Sequence, residues 1–60
     1  PAPAIGTLGT AITDLKPAGR ADFDGTWIQV QTQGQFCAKG TPVRIISTEG
    51  ITITVEETDQ

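Results

Sequence analysis

Ile51-Thr52-Ile53-Thr54-Val55-Glu56-Glu57 alternates apolar and polar side chains almost to its end. A period of two marks a strand with one face in a core and the other in water. It sets Ile51, Ile53 and Val55 inward, and Thr52, Thr54 and Glu56 outward. Glu49-Gly50, just before it, reads as a tight turn, and residues 43–48 form another strand with Val43 and Ile45 inward. Further back, residues 26–33 put Ile28 and Val30 on one face and Trp27, Gln29 and Gln31 on the other. Asp24-Gly25 is a strong hairpin signal. It joins this run to residues 20–23, where Ala21 and Phe23 face in while Arg20 and Asp22 face out. The first run covers residues 6–13; Gly6 and Gly9 weaken it but permit a bend or a close backbone approach. Residues 14–19 make a turn containing Pro17 and Gly19, and residues 34–42 make a longer loop. β-Branched Thr and Ile recur throughout and favour strands. No apolar stripe at a 3.6-residue period extends beyond one turn.

Five short strands within 60 residues cannot form an open sheet without leaving exposed edges. Closing them into a small barrel removes that liability. The expected architecture is all-β, a five-stranded, partly open OB-fold barrel. An SH3-like barrel of the same size stays open, because strand counting does not separate the two. The domain is expected over residues 5–57, with an extended lead-in at 1–4 and a tail at 58–60. Pro1 and Pro3 favour extended backbone in the lead-in. The chain begins Pro-Ala-Pro-Ala with no initiator Met and is expected to be a piece of something longer. A chain this small buries only about 60% of its unfolded surface, so its stability margin is thin.

Four Lys and Arg stand against seven Asp and Glu, a net charge of -3. That balance opposes binding to phosphate backbones, which need basic side chains, and to anionic membrane surfaces. One cysteine, Cys37, excludes an internal disulfide and points to a reducing compartment. No run approaches the roughly 20 apolar residues that span a bilayer, and none reads as a signal peptide.

Chemistry is scarce. There is no His, so Ser-His and Cys-His catalysis are excluded within this chain, and Cys37 alone cannot make a zinc site. No catalytic residue, metal or cofactor is expected. Asp22 and Asp24 share a face and could pair for acid–base work or a weak cation site; the favoured reading is a solvated face beside a turn. Cys37 could be an activated thiol near Lys39, but it reads better as a small apolar residue packed under the loop. Phe36 reads as a core plug. Trp27 lies out of phase with Ile28 and Val30. It is either an outward interface anchor or a cover for an open barrel end or an edge. Lys16 and Lys39 sit in no symmetric strand-turn-strand setting, which argues against a biotinyl or lipoyl carrier.

Several of these positions together resemble a known family. They run Gly6, Gly9, Ala11, Thr13, Leu15, Pro17, Gly19, Ala21 and Gly25, then Ile28-x-Val30, Gly34-x-Phe36, Lys39-Gly40-x-x-Val43-x-Ile45 and Glu49-Gly50. The pattern is similar to the C-terminal domain of NfeD-like membrane proteins over about residues 5–55. Two positions depart from it. Cys37 stands where Ile or Val is more usual, and Gln29 where an acid is frequent. The resemblance implies an OB-fold domain with no catalytic position of its own, on the soluble, cytoplasmic side of a membrane protein. The membrane helices, and in longer members a Clp-class serine protease domain, would lie outside these residues. It also implies stomatin- or flotillin-type partners and a role in membrane protein quality control or the regulation of membrane protease activity. The leading expectation is a non-catalytic protein-interaction module, binding such a partner or a second copy of itself. Trp27, Gln29 and Gln31 are its candidate contacts. The alternative, on fold analogy alone, is an OB-fold that binds single-stranded nucleic acid; sparse aromatics and negative charge oppose it.

Overall fold

The computed structural model describes residues 4–59. Five strands make it up: β1 (Leu8–Ala11), β2 (Ala18–Phe23), β3 (Thr26–Gln31), β4 (Pro42–Glu49) and β5 (Thr52–Glu57). They close into a barrel in the order β1-β2-β3-β5-β4, with β4 returning to β1. Every pairing is antiparallel except β3 with β5. This is the OB-fold arrangement, not the SH3-like barrel that strand counting leaves open.

Two tight hairpins set the register. Asp24 and Gly25 both have positive φ, 57° and 89°, the requirement of a type I′ turn. The Asp22 carboxylate steadies it by accepting the Gly25 N–H at 2.8 Å. From this turn β2 and β3 pair at every step, Phe23 opposite Thr26 through Ala18 opposite Gln31. The second hairpin corrects the expected fifth strand. Glu49 pairs with Thr52, so Gly50 and Ile51 are the two central turn residues. Gly50 takes φ 59°, and Ile51 is not among the positive-φ residues. That is a type II′ turn, which calls for Gly at its first central position. Ile51 is carried to the tip, 98% exposed, and does not extend the inward row.

The core consists of Ala11, Leu15, Ala21, Phe23, Val30, Cys37, Val43, Ile45, Ile53 and Val55. Burying each large aliphatic side chain among them contributes about 1.5–3 kcal/mol. The inward pairs Ala21/Phe23, Val43/Ile45 and Ile53/Val55 are those the alternation predicts. Gly9 lets Phe23 into the barrel: a Cβ on Gly9 would lie 2.5 Å from the Phe23 ring and 2.5 Å from the Asp22 carbonyl. In β4 the register slips between Ile45 and Ser47. The extra residue, Ile46, is half-buried. Such a bulge bends its strand, which lets β4 serve both β1 and β5.

The lower end of the barrel is closed by two connections. Leu15 and Cys37 exchange main-chain hydrogen bonds of 2.8 and 3.1 Å, and the Lys39 N–H donates to Asp14 Oδ1 at 2.9 Å. Extended backbone alternates its side chains, so with Cys37 turned in, Phe36 turns out. Phe36 is 60% exposed and is not the expected plug; Leu15 and Cys37 fill that place. Thr32, the one buried polar residue among the described residues, donates its hydroxyl to the Gln35 carbonyl and its N–H to the Pro17 carbonyl.

Of the expected lead-in, residues 1–3 lie outside the described residues, as does Gln60 of the tail. Ala4 belongs to a turn, its carbonyl accepting the Thr7 N–H at 3.1 Å and the Thr7 hydroxyl at 2.6 Å. Thr58 is tied to β4 through an N–H bond to the Pro42 carbonyl.

Candidate functional site

Strand alternation decides which side chains β3 offers to solvent. Val30 is buried and Ile28 packs against the core from a half-buried position. Trp27, Gln29 and Gln31 therefore stand on the outer face, and all three are exposed. Trp27 is 68% exposed.

Gln29 and Gln31 line a cleft of about 270 Å³ together with Ala18, Ile51, Thr52 and Ile53. The cleft exists because β3 and β5 pair at a single position, Gln31 opposite Thr54. Upstream of it no further β3–β5 pair forms. Trp27 lies two residues up the same face and is not part of the lining. Two of the three candidate contacts thus share one cleft. Ile51 joins them there, a residue that sequence alternation places in the core. A signal for it was present: Gly at the first central position of a two-residue hairpin puts the next residue at the tip.

Asp22 and Asp24 border a shallow depression with Leu8, Gly9, Thr10 and Pro42. Asp24 belongs to the turn rather than the strand, and the Asp22 carboxylate is engaged by Gly25. Among the described residues no group of three or more His, Cys, Asp and Glu side chains could hold a metal ion. Cys37 is buried in the core, and burial, with a smaller push from the Glu57 carboxylate, raises its thiol pKa. That is the opposite of an activated nucleophile. Arg44 and Glu56 form an ion pair across β4 and β5, with both side chains well exposed.

The sequence model of the NfeD-like C-terminal, partner-binding domain matches residues 2–57. The chain belongs to this family. Its barrel is similar to a solved structure, the C-terminal domain of stomatin operon partner protein 1510-C from Pyrococcus horikoshii. The identity is 26% and the TM-score 0.85, over 93% of this chain and 89% of that one. A comparison with curated proteins finds no match. The NfeD-like domain is thus a partner-binding barrel. Among its described residues no helix is long and apolar enough to cross a membrane.

Proposed function

We propose that this NfeD-like domain is a non-catalytic docking module, which binds a stomatin- or flotillin-type membrane protein through the outward face of β3. Trp27 supplies the anchor, and Gln29 and Gln31 supply polar contacts beside it. The domain then acts on the cytoplasmic side of its parent membrane protein, in membrane protein quality control or in regulating a membrane protease. Membership of a partner-binding family supports the interaction, and the stomatin operon partner similar to it supports the class of partner.

The observation that carries the reading is the exposure of Trp27 on a strand paired along its whole length with β2. A large aromatic held in place by a scaffold loses little entropy on contact, and Trp is enriched among residues that dominate binding energy. Gln side chains beside it can donate and accept without the desolvation cost of a charge.

The test is capture from membranes with the domain as bait and Trp27→Ala as control. The expected result is enrichment of a stomatin- or flotillin-type protein, lost in the control. Equal capture by the Trp27→Ala domain would place the contact elsewhere. Self-association through the same face is the competing occupant, and sedimentation of the isolated domain detects it.

A further inference from the structure

We propose that the open seam between β3 and β5 receives an extended, basic segment of the partner protein as an added strand on the β3 edge. The inference rests on the partner-binding reading above and specifies how the partner is held.

The main-chain geometry comes first. In a two-residue I′ turn the flanking residues, here Phe23 and Thr26, form a hydrogen-bonded pair. In an antiparallel ladder, bonded and non-bonded pairs alternate. Thr26, Ile28 and Val30 therefore direct their N–H and C=O groups at β2. Trp27 and Gln29 direct theirs the other way, toward the seam. There β5 meets β3 only at Gln31, so among the described residues no strand pairs with the seam-side edge of β3 from Thr26 to Val30, while its other edge is paired with β2 throughout. The stretch is about 16 Å long at a strand rise of roughly 3.3 Å per residue. An unpaired edge of this kind is a template for strand addition.

Charge and apolar surface select the occupant. β3 and β5 run parallel, so the two hairpin turns that precede them lie at the same end of the barrel. That end carries Asp24 and Glu49 at its turns, while Asp22, its carboxylate held by the Gly25 N–H, lies on the β2 side like Arg20. Lys16 and Lys39 belong to connections at the opposite end, Arg44 is paired with Glu56, and Arg20 lies opposite Gln29 on the β2 side. The seam is thus acidic at its open mouth. Trp27 stands on one side of it and Ile51 on the other, both exposed. A complementary segment is extended, places Lys or Arg beside the turns, and carries apolar side chains between Trp27 and Ile51. A second copy offers the β3 run Thr26-Trp27-Ile28-Gln29-Val30-Gln31, which has no cation to meet the acidic mouth.

The experiment measures amide hydrogen exchange by NMR on the whole chain, with three synthetic heptapeptides as probes. The first is Lys-Val-Thr-Val-Thr-Val-Lys. The second replaces both Lys by Glu. The third is the Lys peptide N-methylated along its backbone. The Lys peptide is expected to slow exchange at Trp27 and Gln29 by about tenfold or more, as new hydrogen bonds of ordinary net strength require. The Glu and N-methylated peptides are expected to leave both amides unchanged. A Gln29→Pro variant removes one seam-facing N–H while sparing the bonds to β2, and is expected to lose the peptide; if it fails to fold, the N-methylated peptide still decides. Absence of protection by the Lys peptide overturns strand addition, as does equal binding of the N-methylated peptide. Protection that rises with protein concentration and needs no peptide also overturns it, assigning the seam to a second copy. If Trp27→Ala abolishes partner capture while the peptides protect nothing, the docking face stands and strand addition alone falls.

Discussion

Ile51 and Ile53 are two residues apart, and simple alternation gives them the same environment. In the structure Ile51 is 98% exposed at a turn tip and Ile53 is 6% exposed in the core. Truncating each to Ala separates the two accounts. Ile53→Ala removes buried methyl groups and leaves a cavity, at a cost of about 2–5 kcal/mol. Ile51→Ala removes nothing from the interior and is expected to stay within about 0.5 kcal/mol. The contrast is large against the whole, since 60 residues sustain roughly 3–9 kcal/mol of total stability. At about 4–8 °C per kcal/mol for a domain of this size, Ile53→Ala lowers Tm by at least about 8 °C and Ile51→Ala by less than about 4 °C. Urea and thermal unfolding followed by far-UV circular dichroism reads both; the fluorescence of Trp27 is a poor probe because that side chain is already in water. A loss above about 1 kcal/mol for Ile51→Ala, or below that for Ile53→Ala, would refute the turn assignment and with it the lining of the cleft.

Three further outcomes follow from single residues. Gly9→Ala forces a Cβ to within 2.5 Å of the Phe23 ring and the Asp22 carbonyl, and urea titration is expected to show a loss of about 1–3 kcal/mol. Asp22→Ala frees the Gly25 N–H of the I′ turn and is expected to cost about 0.5–1.5 kcal/mol, with Asp22→Asn recovering most of it because an acceptor oxygen remains. The Cys37 thiol has a raised pKa when folded, so the unfolded chain releases its proton first. Its contribution to stability is fully present below the unfolded thiol value of about 8.5 and is lost as pH rises through the folded value. Denaturant midpoints measured upward from pH 8 are expected to fall for the native chain, and Cys37→Ala is expected to remove that slope.

Legibility in the sequence followed the range of the interaction. Val43 with Ile45, and Ile53 with Val55, were readable because strand alternation is a local property. Trp27 was readable for the same reason, being out of phase with two apolar neighbours. Ile51 was misread because periodicity was extended through a turn whose chemistry, Gly at the first central position, ends it. Cys37 was readable as a packed apolar residue, but Phe36 was misplaced by a long-range contact: the Leu15–Cys37 bridge decides which of two adjacent apolar residues faces in. Ile46, at the bulge, is set by how β4 must bend to meet two partners, which no window of local sequence records. The cleft was the least legible feature, since it arises where parallel strands β3 and β5 make only a single pairing.

The most direct test of the docking face uses the only tryptophan in the chain. Incorporated as 5-fluorotryptophan, Trp27 gives a single fluorine resonance, to be followed by NMR as a solubilised stomatin- or flotillin-type protein is added. This resonance is expected to shift or broaden as the partner binds. A resonance that stays fixed and sharp, while backbone amides elsewhere on the barrel report that the partner has bound, would contradict it.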